Sequence, residues 1–187
     1  MKKISEFIPD VSDYYLLSES GEVINQKNNR KLKPDNKHCY RLMLKSGKAK
    51  GFSLKTLMRE VYDTNFYYDN TTSLEGELWR YVPNTNELYM CSSKGRIKSL
   101  RGIEAIIMKP ALTKKGYLRL QIALPDGSLV NKFIHTLVCE TWFPDKPLDE
   151  KHCCHHIKSK LINDIESLQV LTKEEHIKVH QTLNNAE

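Results

Sequence analysis

Residues 153–180 read CCHHIKSKLINDIESLQVLTKEEHIKVH and hold four of the chain's seven histidines. His155 and His156 are adjacent, and His176 and His180 are four apart. Thr172 and Glu175 have the spacing of a capping box, which predicts a helix starting at Thr172. On such a helix His176 and His180 lie one turn apart on the same face, so both imidazoles can point at one ion. Ile177, Val179 and Leu183 are left to pack the helix down. Upstream, Leu168, Val170 and Leu171 read as a short strand, and Cys153 to Ile157 as another. The predicted order is strand, loop, strand, helix, a ββα unit.

Successive strand residues point to opposite faces. His155 and His156 therefore do different jobs: one joins the helix histidines, and its neighbour faces away. That division suits hydrolysis of a phosphodiester. Neutral imidazoles hold a divalent cation, and a separate histidine takes a proton from water. Adjacent Cys153 and Cys154 lack the spacing of a zinc clip, and plain burial is expected of them.

The segment resembles the HNH nucleases, which use this ββα-metal unit, along H-H … L-x-V-x-T-x-x-x-H-x-x-x-H. It is most similar to the branch with paired helix histidines, as in the nuclease colicins. Position by position, the resemblance implies that His155, His176 and, as an accessory, His180 are metal ligands, and that His156 is the general base. It further implies one divalent ion (Mg, Mn, Zn or Ni). The family's middle Asn, which holds the general base, falls where this chain has Ser167. Asn163 matches a second Asn of many relatives and is the candidate to replace it. Lys158 stands where many relatives have Asp.

The whole chain of 187 residues carries a formal charge of +6 and 40% hydrophobic residues. That is enough for a real core, and the charge suits a polyanionic partner. Five cysteines, at 39, 91, 139, 153 and 154, show no disulfide framework and fit a reducing cytoplasm. The start, MKKISEF, lacks the apolar core of a secretory signal, and no apolar run approaches transmembrane length. A cytoplasmic protein with no membrane partner is expected.

Two parts of the chain look alike. FIPDVSDYYLLSESGEVINQ (7–26) parallels YVPNTNELYMCSSKGRIKSL (81–100), with Pro9 and Pro83, and Gly21 and Gly95, each 74 apart. LKPDNKHCYRLMLKSGKAKGFSLKTLMREVY (32–62) then parallels MKPALTKKGYLRLQIALPDGSLVNKFIHTLVCETW (108–142). Hairpin turns are expected at Ser46-Gly47 and Asp126-Gly127. Each copy ends in an amphipathic helix, with Leu54, Leu57, Met58 and Val61 on one and Ile134, Leu137, Val138 and Trp142 on the other. The shared order points to a duplication. His135 aligns with Lys55 and is a supporting residue beside the metal unit. Polar residues 64–75 read as the join, and 144–151 as a second connector.

The second copy also resembles the short DNA-binding module that precedes the HNH unit in many phage homing endonucleases. Glu77, Trp79, Pro83, Ser92, Gly95, Arg96, Ile97, Ser99 and Leu100 occupy its pattern. Basic residues concentrate in the matching segments of both copies. Residues 92–120 hold eight Lys or Arg against one acid, and residues 27–50 hold nine against one. Arg96, Lys98, Arg101, Lys109, Lys114, Lys115 and Arg119, with Arg30, Lys31, Lys33 and Arg41, are the expected DNA contacts.

The expected architecture is α+β. Two related basic β-rich modules (1–66 and 75–143), each closed by a helix, precede a C-terminal ββα-metal unit (144–187). The expected function is an HNH cleavage of double-stranded DNA by a monomer or homodimer, of the phage homing-endonuclease type. The alternative is a catalytically weakened or inactive DNA-binding protein built on the same unit.

Overall fold

The computed structural model describes residues 1–184, and side chains as far as residue 181. It is a mixed α/β structure of several small antiparallel sheets and three α-helices. The chain divides into two compact units, the first Met1–Tyr68 and the second from Asp69 onward. The division falls inside the polar join.

In the first unit, β1 (Lys2–Lys3), β2 (Tyr15–Leu17), β3 (Val23–Asn25) and β4 (Arg30–Lys31) form an antiparallel sheet in sequential order. A hairpin of β5 (Cys39–Met43) and β6 (Ala49–Ser53) leads into α1 (Leu54–Tyr62). Ser53 caps α1 by accepting from the Thr56 amide at 3.0 Å, and Leu54, Leu57, Met58 and Val61 are buried as their spacing requires.

The second unit repeats this order. β7 (Trp79–Tyr81), β8 (Tyr89–Ser92), β9 (Ile97–Ser99) and β10 (Ile106–Ile107) form the four-stranded sheet. β11 (Ala111–Leu112), β12 (Leu118–Ala123) and β13 (Leu129–Phe133) follow, and α2 (Ile134–Trp142) closes them. Gly21 and Gly95 hold the same turn in the two copies, at φ +82° and +76°. Only glycine adopts that conformation without strain.

β14 (His152–His156) and β15 (Leu168–Thr172) then pair antiparallel, with His155 opposite Gln169 and His156 opposite Leu168. α3 (Lys173–Asn184) completes the ββα unit. Its capping box is reciprocal: the Thr172 amide donates to Glu175 Oε2 at 2.8 Å, and the Glu175 amide donates to Thr172 Oγ1 at 3.1 Å. Ile177 differs from expectation. It is 55% exposed, while His176 and Val179 face inward. The Leu183 side chain lies outside the described residues.

The three expected parts lie within two compact units, the second of which holds both the second module and the ββα hairpin. No boundary falls at 143/144, because the second module and the ββα hairpin share one core. Val82, Tyr89, Cys91 and Ile97 of the module, Leu137, Val138 and Cys139 of α2, and Leu168 and Val170 of β15 belong to one buried cluster. The alternation of β15 sends Leu168 and Val170 to the α2 side, and burying them there fuses the two pieces. The five cysteines are free thiols, and Cys153 and Cys154 are half-buried rather than fully buried. Among the described residues no helix is long and apolar enough to cross a membrane.

Two of the expected DNA contacts, Lys98 and Arg96, are engaged within the module instead. Lys98 is 2% exposed; its Nζ sits 2.6 Å from Asp69 Oδ2 and 4.2 Å from the centre of the Trp79 ring. Arg96 forks onto the buried Glu77 carboxylate, donates to the Thr72 carbonyl at 2.9 Å and lies over the same Trp79 ring. Both tie the module to its own acidic and aromatic residues, Lys98 from a buried position and Arg96 from a partly exposed one.

Burial raises the Glu77 pKa, but bonds from Arg96, the Leu74 amide and Ser92 outweigh it and hold the carboxyl at about 2. A depressed pKa adds stability that is present above the unfolded value, near pH 4.5, and lost as pH falls through about 2. Replacing Glu77 by Gln should cost the second unit about 2 kcal/mol at pH 7. It should also flatten the decline in stability between pH 4.5 and 2, read by urea melts across pH. An unchanged acid limb in Glu77→Gln would refute the assignment.

Candidate metal and hydrolytic site

β14 separates its two histidines as strand alternation requires. His155, 6% exposed, faces α3; its ring centre lies 5.0 Å from that of His176 and 5.2 Å from that of His180. The ring centres of His176 and His180 are 4.6 Å apart. One nitrogen from each of the three rings falls within 4.8 Å of the others, close enough to hold one metal ion. Burial, then the neighbouring imidazoles, lower the pKa values of His155 and His176. Both are therefore neutral at neutral pH, the form in which imidazole binds a metal.

His156 faces the other way. Its Nε2 meets Asn163 Oδ1 at 3.2 Å, and Asn163 Nδ2 donates to the Leu161 carbonyl at 3.0 Å. The second bond orients the amide, so the oxygen is what meets the ring. An amide oxygen only accepts, so Nε2 carries the proton and Nδ1 keeps its lone pair. Burial, with help from Lys160, lowers the His156 pKa against the opposing effect of Asn163. The geometry supplies a neutral, oriented base.

Asn163, not Ser167, is thus the partner of His156. Ser167 is 1% exposed; its backbone closes the loop, donating to the Asp164 carbonyl at 3.1 Å and accepting from the Ile157 amide at 2.9 Å. The Asn163 loop is braced by the second module. The Ile165 amide donates to the Ser93 carbonyl at 3.0 Å, and Gly95 lies directly against the Asn163 backbone.

His135 belongs to the site. Its ring centre is 4.8 Å from that of His156, and burial, with His156 adding to it, lowers its pKa to about 4. Tyr117, 5.9 Å from His156, and Lys160, whose Nζ lies 4.8 Å from the Tyr117 ring centre, were missed by sequence reasoning. Nothing in their local pattern marks them. Of the remaining expected DNA contacts, Arg101, Lys109, Lys114, Lys115 and Arg119 in the second unit and Arg30, Lys31, Lys33 and Arg41 in the first are exposed.

A hairpin and helix that gather three imidazoles on one side and orient a fourth on the other define a ββα unit suited to holding a metal. The NUMOD4 motif matches residues 77–123. An uncharacterised HNH endonuclease of Acanthamoeba polyphaga mimivirus is 29% identical over 115 residues, which is 60% of this chain and 28% of that protein. The HNH homing endonuclease I-HmuI, in a structure of its DNA binding and cleavage, shares the fold. The match has a TM-score of 0.50 and 19% identity over 57% of this chain and 59% of that one. The chain therefore spans less than two thirds of the length of either relative. Together these findings bear out the resemblance to HNH-type endonucleases.

Proposed function

We propose that this chain is a metal-dependent, homing-endonuclease-like HNH enzyme that hydrolyses the backbone of double-stranded DNA. The observation that carries the reading is the division of labour across β14: a three-imidazole cluster on one face, and on the other a neutral His156 held by Asn163. The donor set is all nitrogen, which suits Zn or Ni better than Mg or Mn among the four ions considered. A divalent ion held by His155, His176 and His180 would stabilise charge on the phosphate and on the leaving oxygen. His156 takes the proton of the attacking water at Nδ1. Asn163 keeps the ring from turning, and the exposed Arg and Lys side chains draw in the phosphate backbone. One such unit cuts one strand, so a monomer nicks, and a double-strand break takes a homodimer or two events.

Supercoiled plasmid incubated with purified protein and Zn²⁺, Ni²⁺, Mg²⁺ or Mn²⁺ should become nicked circle, most readily with the first two, and EDTA should stop the reaction. DNA retardation without cleavage under every metal would leave the inactive DNA-binding alternative in its place. Asn163→Ala should lower the nicking rate about 10–100-fold. Zn²⁺ affinity, measured by chelator competition, should not change, because Asn163 lies on the far side of β14 from the three ligands. Full activity in that variant would show that Asn163 does not position the base.

A further inference from the structure

Beside His156 lies an open cavity of about 560 Å³, lined by Thr113, Lys114, Lys115, Tyr117, Phe133 and His135. Its walls are aromatic. Phe133 and His135 stack at 8° with ring centres 5.3 Å apart, and Tyr117 meets Phe133 edge-on at 5.7 Å. Phe133 is 41% exposed, so part of its ring is open to the cavity. Lys114 and Lys115 are exposed at the rim, and Lys160 lies across the Tyr117 ring. The site thus offers flat π surfaces beneath a ring of positive charge, immediately next to the base that the hydrolytic reading employs. None of these side chains is needed to hold the metal or to orient His156.

We propose that this cavity binds an unstacked nucleobase of the DNA strand being cut, next to the scissile phosphate, with Tyr117 and Phe133 as the stacking surfaces. The proposal rests on the nuclease reading. A nucleobase fits the chemistry because every base has a π face, so aromatic walls take it without demanding a particular sequence. The lysines supply what the base's own phosphates need. Taking a base from a duplex costs a few kcal/mol of unpairing and unstacking, a cost already met at a bulge or mismatch. The pocket would therefore make the protein prefer duplexes distorted at the cleavage point, and would fix which phosphate reaches His156.

The test uses the whole 187-residue chain in EDTA, so that nothing is cut. The probes are two short duplexes, one fully paired and one with a single bulged 2-aminopurine. The expected result is at least about tenfold tighter binding of the bulged duplex, with quenching of the 2-aminopurine fluorescence as the base stacks. Tyr117→Ala should remove both the preference and the quenching while leaving affinity for the paired duplex within about twofold. Tyr117→Phe, which keeps the ring, should retain both. Equal affinity for the two duplexes, or a preference that survives Tyr117→Ala, would overturn the proposal while leaving the nuclease reading intact. Failure to bind either duplex would overturn both.

Discussion

His156→Ala should lower plasmid nicking by about 10²–10⁴-fold, the range expected when a general base is removed from a phosphodiester hydrolase. The size of the loss follows from the surroundings. His156 is held by one directed bond to Asn163, is flanked by His135 and Tyr117, and is kept neutral chiefly by burial. Among the described residues, no other imidazole is bonded to Asn163, and the neighbouring His135 has a buried Nδ1 with no partner to orient it. His155 points to the opposite face, toward His176 and His180. Metal affinity and folding should therefore survive in the variant, measured by chelator competition and by thermal melting. DNA retardation should survive as well. Nicking at the wild-type rate by His156→Ala would remove this residue from the chemistry.

Gly95→Ala should be the most damaging single methyl group in the second unit. A Cβ there would lie 2.5 Å from the Asn163 carbonyl oxygen and 2.8 Å from the carbonyl carbon, and both are backbone atoms that cannot swing aside. The φ of +76° adds strain for any L side chain. Together these should cost roughly 2–5 kcal/mol of stability, combining the left-handed penalty with overpacking. The protein's escape is to move the Asn163 loop, which breaks the bond that orients His156. A displacement of about 1 Å at a catalytic group costs on the order of 10²-fold in rate.

Gly127→Ala is the matched comparison. Its φ is +86°, yet nothing lies within 4 Å of the added methyl. It should pay the strain alone and keep its nicking rate per folded molecule. Gly21 provides a second comparison, since its neighbours are side chains, Leu54 at 3.0 Å and Phe66 at 3.2 Å, which can yield. Equal nicking by Gly95→Ala and Gly127→Ala would show that the module does not brace the Asn163 loop.

The contrast between Gly21 and Gly95 also shows what the duplication did. The same turn recurs in both copies at nearly the same φ. In the first unit it packs on the unit's own helix through Leu54, and in the second it meets the Asn163 loop of the ββα unit. A small sheet closed by a helix recurs in both copies, and in the second it supports the loop that carries Asn163.

Much of this was legible in the sequence because it depends on few neighbouring residues. Strand alternation alone puts His155 and His156 on opposite faces, and a four-residue spacing alone stacks His176 over His180. The Thr172–Glu175 capping box sets the start of α3, and the glycine turns repeat at a constant interval. Only the tertiary structure decided matters that turn on distant partners. Lys98 and Arg96 look like any other exposed basic residues until Asp69, Glu77 and Trp79, 29, 19 and at most 19 positions away, claim their charges. Asn163 rather than Ser167 holds His156 because the loop bends its amide back onto the Leu161 carbonyl, a bend that Gly95 and Ser93 impose from the other module. His135 and Tyr117 reach His156 for the same reason: α2 and β15 bury their apolar faces against each other, and that burial, set by no local pattern, joins the two halves of the site.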